Sequence, residues 1–300
     1  MNRPLHFYTL TGNLLAERTL EFPTWAPGRT QRAVRESFQV GGKGINVAKM
    51  LARLGAPHTA LCFTGGAPGA ECEAWLRDRG FAFHAFPTDA PTRTGTVVRG
   101  AAQAETTFLG CDALPSASAV QACADFLDAQ PDGRLLAVCG SLPGWTTDAF
   151  APLRAALARW SRRGPLAADT YGPPLAWFAA QPVALIKINA DEFAAFAGRA
   201  AGDMDRALGE ARGRFPVQRW IVTDGPGDVW FCEADAAPAR LSPPPVVEVS
   251  ATGSGDVLFA CVLDALFRRG LPLRDAVATA LPFASANAAH PGIAEFPLPA

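Results

Sequence analysis

The chain has 300 residues, 49% of them hydrophobic, and its 27 Lys and Arg nearly balance 28 Asp and Glu, for a formal net charge of -1. That much apolar side chain supports a large core, while near-neutral charge provides no whole-molecule field for nucleic acid or an anionic membrane, so an anionic ligand must be held by local groups. The seven cysteines form no CxxC pair and the four histidines are dispersed, which argues against a disulfide framework, a zinc site or a histidine metal cage, and for reduced thiols in a cytoplasmic protein.

MNRPLHFYTL lacks the apolar stretch of a cleavable leader, and Leu5 to Leu10 within it reads as a first strand. Leu14 to Phe22 and Thr30 to Phe38 alternate polar and apolar residues about a Pro27-Gly28 turn, which predicts a hairpin with one apolar face. Gly41-Gly42-Lys43-Gly44 breaks that pattern, and Ile45, Val47, Ala48, Met50, Leu51 and Leu54 follow at helical spacing. Strands at His58 to Phe63 and Ala82 to Phe86 flank a helix from about Gly69 to Arg79, after which Thr92 to Val98 and Glu105 to Leu109 form a second hairpin.

The rhythm then resumes. Helix Ser116 to Leu127, strand Leu135 to Cys139, helix Thr147 to Trp160, and strands Pro165 to Ala168 and Val183 to Ile188 come in turn. Helices Asp191 to Phe196 and Met204 to Phe215, then strands Arg219 to Val222 and Val229 to Cys232, lead to a strand ending at Val246, Val247 and Val249. A glycine turn opens a helix from there to Arg269, and a last helix runs from Leu273 to about Ala288. Strands alternating with helices predict an α/β fold: one domain over residues 1–300 with a doubly wound, mostly parallel sheet. A small β-sheet lid comes from segments at about 11–38 and 91–111. Leu14, Leu15 and Phe22 could serve its core or a homodimer contact equally well.

Four loops fall where such sheets bind ligands, beyond the carboxyl ends of the strands: Gly140 to Pro143, Lys187 with Asn189 and Glu192, Thr223 to Gly227, and the Gly253 turn. Gly253-Ser254-Gly255 opens a helix whose N–H groups and dipole suit an anion, and Asp256 in the first turn could take a proton from a hydroxyl beside it. A plain capped core helix explains the same stretch. Gly41 to Gly44 is either a ligand-contacting turn or a tight helix entry, and Asn189 to Glu192 has the spacing of a helix cap. No GxxxxGK[ST] P-loop occurs, and Gly225-Pro226-Gly227 is too short for a dinucleotide fingerprint.

Two of these stretches resemble signatures of the PfkB, or ribokinase-like, carbohydrate kinases. GGKGINVAKMLARLG (Gly41 to Gly55) is similar to the family's N-terminal signature and TGSGDVLFA (Thr252 to Ala260) to its C-terminal one. The resemblance implies a ribokinase-like fold with a β-sheet lid, ATP with Mg2+, and phosphorylation of a sugar or related alcohol. By motif, Asp256 matches the base and Gly253, Ser254 and Gly255 the anion hole. Asn189 and Glu192 match the NxxE motif that organises Mg2+ through water, and Lys187 the lysine of a KPN motif. Thr223, Gly225 and Gly227 match the ATP-side loop, Asn287 an adenine-pocket position, and Gly42, Lys43 and Asn46 sugar contacts.

GKGINVA, together with GRTQRA (Gly28 to Ala33) and Thr92-Arg93, resembles the 1-phosphofructokinase and tagatose-6-phosphate kinase branch. That likeness implies that Arg32, Lys43 and Arg93 grip a phosphate already on the substrate. Ser250, where ribokinases open the C-terminal signature with aspartate, is also similar to this branch, whereas the sequence departs from the pattern at TGNLLAERT, where Glu17 replaces a sugar-holding aspartate, at TTFLGCDALP in the lid, at Ile188, and at Ala251 and Cys261. The expected partner is therefore a small sugar phosphate, with a kinase of an unphosphorylated sugar, nucleoside or other alcohol as the alternative and a non-catalytic sugar-phosphate sensor as a third reading.

Overall fold

The first strand of the molecule, β1 (Phe7–Thr11), is buried along its whole length, as a central strand of a parallel sheet must be. The structure is a computed structural model that describes residues 5–100, 103–198 and 203–299. The predicted hairpin's tip at 101–102 and the first four residues and last residue of the predicted domain therefore lie outside the described residues, as do 199–202.

After β1 come β2 (Leu15–Phe22), β3 (Arg35–Gly41), α1 (Lys43–Arg53), β4 (His58–Thr64), α2 (Gly66–Asp78), β5 (Phe83–Pro87), β6 (Arg93–Gly100) and β7 (Gln103–Leu109). The chain continues through α3 (Ala117–Asp128), β8 (Leu135–Cys139), α4 (Ala151–Trp160), β9 (Leu166–Asp169), α5 (Gly172–Ala179), β10 (Leu185–Asn189), α6 (Ala190–Ala197) and α7 (Met204–Arg214). Strands β11 (Arg219–Thr223), β12 (Val229–Glu233) and β13 (Ala239–Leu241) precede helices α8 (Ser254–Leu263) and α9 (Leu273–Ala288).

The large sheet has the order β13-β12-β11-β10-β9-β8-β1-β4-β5, parallel from β11 to β5, with antiparallel β12 and β13 on one edge. Alternate residues of each strand feed opposite layers. Tyr8, Leu10, Leu136 and Val138 join the core under α3 to α7, while Phe7, Leu135, Ala137 and Cys139 join the core under α1, α8 and α9. The chain winds from β1 to β4 and β5 on one side and returns to β8 on the other, so the strand order reverses at β1 and opens a crevice beyond its carboxyl end.

The smaller sheet, β3-β2-β6-β7, covers that end. Leu14, Ala16 and Val40 pack with Ile45 and Ala48 of α1 and with Cys72 and Leu76 of α2, which ties it to the body. Leu14 and Leu15 are thus interior, and the large apolar side chains the small sheet region leaves exposed include Val34 and Phe108.

Two expectations fail. Val246, Val247 and Val249 form no strand; residues 242–249 run outside the sheet and Val247 is 86% exposed. The preceding Pro243, Pro244 and Pro245 have no N–H groups for a ladder, so strand pairing stops at β13, and the N–H groups of Val249 and Ser250 turn instead to the Ala288 carbonyl. Conversely, α5 occupies a stretch for which no element is predicted, between the strands read at Pro165 to Ala168 and Val183 to Ile188. Prolines at the start of a helix give up only N–H groups that have no intrahelical partner anyway.

The exposed valines and buried α8 give opposite expectations for stability. Val247→Ser should change the free energy of unfolding by less than about 0.5 kcal/mol, whereas Leu258→Ala should cost about 2–5 kcal/mol. Urea denaturation of the two variants checks both.

Candidate active site

A cavity of about 590 Å³ opens where the strand order reverses, between the carboxyl ends of β1, β8, β10 and β11 and the small sheet. Helix α1 enters beside β1 at very close range: a Cβ on Gly44 would lie 2.4 Å from Thr11 Oγ1, so only glycine permits this approach. That contact sets Lys43 and Asn46 on the cavity wall.

One side of the cavity is built on a carboxylate between two lysines. Asp169, fully buried at the end of β9, accepts hydrogen bonds from Lys43 Nζ at 2.8 Å and Lys187 Nζ at 2.9 Å. Burial would raise its pKa, but the ammonium groups of Lys187 and Lys43 outweigh that and hold it below the ordinary carboxylate value. Burial likewise works against charge on Lys43, and Asp169, with Asp256 and Glu192, reverses the balance and holds its pKa above the usual value. The Lys187 ammonium lies where a side chain on Gly255 would project, 2.7 Å from that Cβ position, which places a cation at the start of α8.

Gly253 caps α8 in the left-handed conformation, φ 78°. Ser254 N–H bonds to the Ala251 carbonyl and Val257 N–H to that of Gly253. The Gly255 and Asp256 N–H groups take no partner among the described residues, as expected for a first helical turn, and both residues line the cavity. Asp256 is 5% exposed. Its Oδ2 accepts from Asn46 Nδ2 at 2.7 Å, which commits one oxygen and leaves Oδ1 without a donor among the described residues. Burial pushes its pKa up to about 6, with Asp169 adding to the rise while Lys43, Lys187 and the Asn46 hydrogen bond oppose it.

The opposite wall belongs to the small sheet. Glu17 of β2, Arg93 of β6, and Thr107 and Leu109 of β7 line it. Arg93 makes two long contacts, 3.4 Å to Asp112 Oδ1 and 3.4 Å to the Asn13 carbonyl, and its buried Nε has no partner among the described residues. Asn13 Nδ2 donates to Asp112 Oδ1 at 2.7 Å and to Ser141 Oγ at 3.1 Å. Thr11 Oγ1 and Asn46 Oδ1 are also buried and unpartnered among the described residues, and both residues face this cavity.

Of the predicted residues, Glu17, Gly42, Lys43, Asn46, Arg93, Lys187, Asn189, Thr223, Gly225, Gly253, Gly255 and Asp256 line this one cavity. Others do not. Arg32 is exposed on the β2–β3 connection and does not line it, because the second strand of the hairpin begins only at Arg35. Asn287 does not line this cavity: it is 1% exposed, donates to the Thr252 carbonyl and Ser254 Oγ at 3.0 Å each, and accepts from Ala294 N–H. It and Ser254 brace the glycine turn from behind. Gly227 closes a turn onto the Asp224 carbonyl.

Asn189 and Glu192 form a complete capping box on α6, with Asn189 Oδ1 accepting from Glu192 N–H at 2.7 Å and Glu192 Oε2 from Asn189 N–H at 3.2 Å. The second Glu192 oxygen lies 3.9 Å from Lys43 Nζ.

Asp169, Thr11 and Asn13 lie outside the predicted set, whereas Ser141 belongs to the loop Gly140 to Pro143 expected at this end of the sheet. Asp169 had a usable signal, a carboxylate directly after the predicted strand Pro165 to Ala168, at the end where ligands bind. Thr11 and Asn13 have no local signature.

Comparison with known proteins gives the family. A family model described as pfkB family carbohydrate kinase matches residues 11–300. The 1-phosphofructokinase of Xanthomonas campestris is 32% identical over 271 residues, 87% of this chain and 84% of that one. The D-tagatose-1-phosphate kinase of Bacillus licheniformis is 30% identical over 193 residues, 64% of this chain and 62% of that one. In fold, the tetrameric inhibited form of Escherichia coli phosphofructokinase-2 superposes with a TM-score of 0.87 at 24% identity, covering 95% of this chain and 94% of that one. Thermotoga maritima ribokinase gives 0.75 at 16%, covering 98% and 96%. The fold is ribokinase-like, and the chain belongs to the pfkB family of carbohydrate kinases.

Proposed function

We propose that this protein transfers the γ-phosphoryl group of ATP to a hydroxyl of a phosphorylated ketohexose, of the fructose 1-phosphate or tagatose phosphate type. The observation that carries the reading is Asp256: a buried carboxylate with one oxygen uncommitted, set between N–H donors of α8 and the Lys43 and Lys187 ammoniums. The names of the relatives support a sugar phosphate as acceptor.

At neutral pH, Asp256 is mostly ionised and takes the proton of the acceptor hydroxyl. The hydroxyl oxygen bonds to the γ-phosphorus as its bond to the bridging oxygen breaks, and ADP leaves. The Gly255 and Asp256 N–H groups, with the Lys43 and Lys187 cations, stabilise the charge of the moving group, so positioning and electrostatics supply most of the rate. Arg93, loosely held and with an unpartnered N–H, is placed to grip the phosphate already on the sugar.

Among the described residues no three acidic, histidine or cysteine side chains converge as a metal cage. One carboxylate, Glu192, and one amide, Asn189, fit Mg2+ that arrives with the nucleotide and stays bound largely to phosphates and water. Bound there, the ion would neutralise phosphate charge, and Glu192 and Asn189 would hold its water shell. Exposed Val34 and Phe108 on the small sheet region support a homodimer through the lid; the tetramer named for Escherichia coli phosphofructokinase-2 is a property of that protein.

Three outcomes follow. Asp256→Asn should lower kcat by about 10²–10⁴ with ATP affinity kept; near-normal turnover with a sugar-phosphate panel and coupled ADP detection refutes the assignment. Wild-type kcat/KM should fall as pH drops through about 6, where Asp256 takes up a proton. A substrate phosphate titrates in the same range, so the diagnostic is the shift: Asn46→Ala removes a donor that favours the carboxylate and should move the acid limb to higher pH. Arg93→Ala should raise the KM for the sugar phosphate by about tenfold or more while leaving that for a free sugar unchanged. An unchanged KM for the sugar phosphate favours an unphosphorylated acceptor.

A further inference from the structure

The acceptor wall holds a second carboxylate, Glu17, and the groups behind it are not used in phosphoryl transfer. Glu17 and Gln39 stand directly opposite each other in the β2–β3 ladder, so their side chains emerge on one face of the small sheet. Gln39 Nε2 donates to Glu17 Oε1 at 2.5 Å, and Gln39 Oε1 accepts from Lys49 Nζ at 3.1 Å. The amide can sit only this way round. A carboxylate only accepts and an ammonium only donates, so the flipped amide would set acceptor against acceptor and donor against donor.

Lys49 is 7% exposed on the inner face of α1, its Nζ 5.3 Å from the centre of the Trp75 ring. Burial pushes its pKa down to about 8, with the charge of Glu17 opposing the fall. A charge this deep is costly unless it is used, and here its hydrogen bond goes to an amide rather than a carboxylate. The consequence lies one residue further on. With Oε1 of Glu17 committed, Oε2 lies over Gly41, 3.5 Å from where a Cβ would stand, and both residues line the cavity.

We propose that Gln39, oriented by Lys49, is a positioning residue for acceptor selection: it pins one oxygen of Glu17 so that the other accepts a hydrogen bond from a single hydroxyl of the sugar. A glutamate has one more torsion than an aspartate, and an unrestrained one would lose that freedom on every binding event. Held at Oε1, it becomes a fixed acceptor, and a fixed acceptor rejects an analogue that lacks the matching hydroxyl. The inference rests on the reading of this cavity as the site of a polyhydroxylated acceptor.

Kinetics with the best acceptor from a panel of phosphorylated and free sugars, and with its monodeoxy analogues, test it. Gln39→Leu should raise the acceptor KM about tenfold with ATP KM changed less than about twofold. One monodeoxy analogue that wild type uses poorly should be used about as well as the parent sugar by Gln39→Leu. Lys49→Met, which keeps Gln39 but releases its orientation, should act in the same direction and decides the matter if Gln39→Leu does not fold. Glu17→Gln combined with Gln39→Leu should have an acceptor KM no higher than Glu17→Gln alone.

The proposal is overturned by an unchanged acceptor KM, by acceptor and ATP KM rising together, or by single effects that multiply in the double variant. A panel in which only unphosphorylated sugars react would refute the sugar-phosphate reading without touching this one.

Discussion

Everything at this site depends on polar side chains along one helix, two of them, Asn46 and Lys49, buried and the third, Lys43, half-buried. Lys43, Asn46 and Lys49 recur every three residues on α1, a step that climbs about 4.5 Å and drifts around the axis. Each engages a different group: Lys43 the buried Asp169, Asn46 the buried Asp256, and Lys49 the Gln39 amide that holds Glu17. Buried charges survive only when paired and hydrogen-bonded, so the helix cannot shift without leaving several of them unsatisfied at once. Gly44 allows the close approach to β1 that makes this possible.

Two carboxylates of the cavity wall are treated alike. An amide commits one oxygen of Asp256 and one of Glu17, which fixes the plane of each group and leaves one oxygen for ligand. Asp256 gives up stability for this: with its pKa raised by burial to about 6, its protonated form contributes stability that is fully present below the ordinary aspartate value of about 4 and is lost as pH rises from there through about 6. Function at neutral pH therefore uses the less stable ionisation state. The small sheet is tied to the same turn from the other side, where Glu105 of β7 accepts from Ser250 Oγ at 3.3 Å and Thr252 Oγ1 at 3.0 Å and pairs with Arg99 at 2.6 Å. An aspartate at 250 would face Glu105 with like charge, which gives serine at this position a physical reason.

Much of this was legible in the chain. Alternating strands and helices specify a doubly wound sheet because connections must be right-handed and short, and the glycine turns before α1 and α8 mark helix starts because only glycine tolerates the backbone they need. Misreadings came from composition taken locally. Val246 to Val249 look like a strand until the three prolines before them are counted as missing donors, and α5, only 8 residues long and begun by two prolines, has no predicted counterpart.

By itself the sequence determined the class of fold, the glycine turns and the identity of Asp256 as a carboxylate in a first helical turn, since each depends on periodicity or on backbone conformations that neighbouring residues set. Tertiary structure alone decided that Asp169 lies between Lys43 and Lys187, that Asn287 braces the turn from behind, that Arg32 stays on the surface of the chain, and that Gln39 and Lys49 stand behind Glu17. The physical reason is distance along the chain. Lys43 and Asp169 are 126 residues apart and Asn46 and Asp256 are 210 apart. Only the strand order of the sheet, set by burial of both its faces, brings such partners within a hydrogen bond.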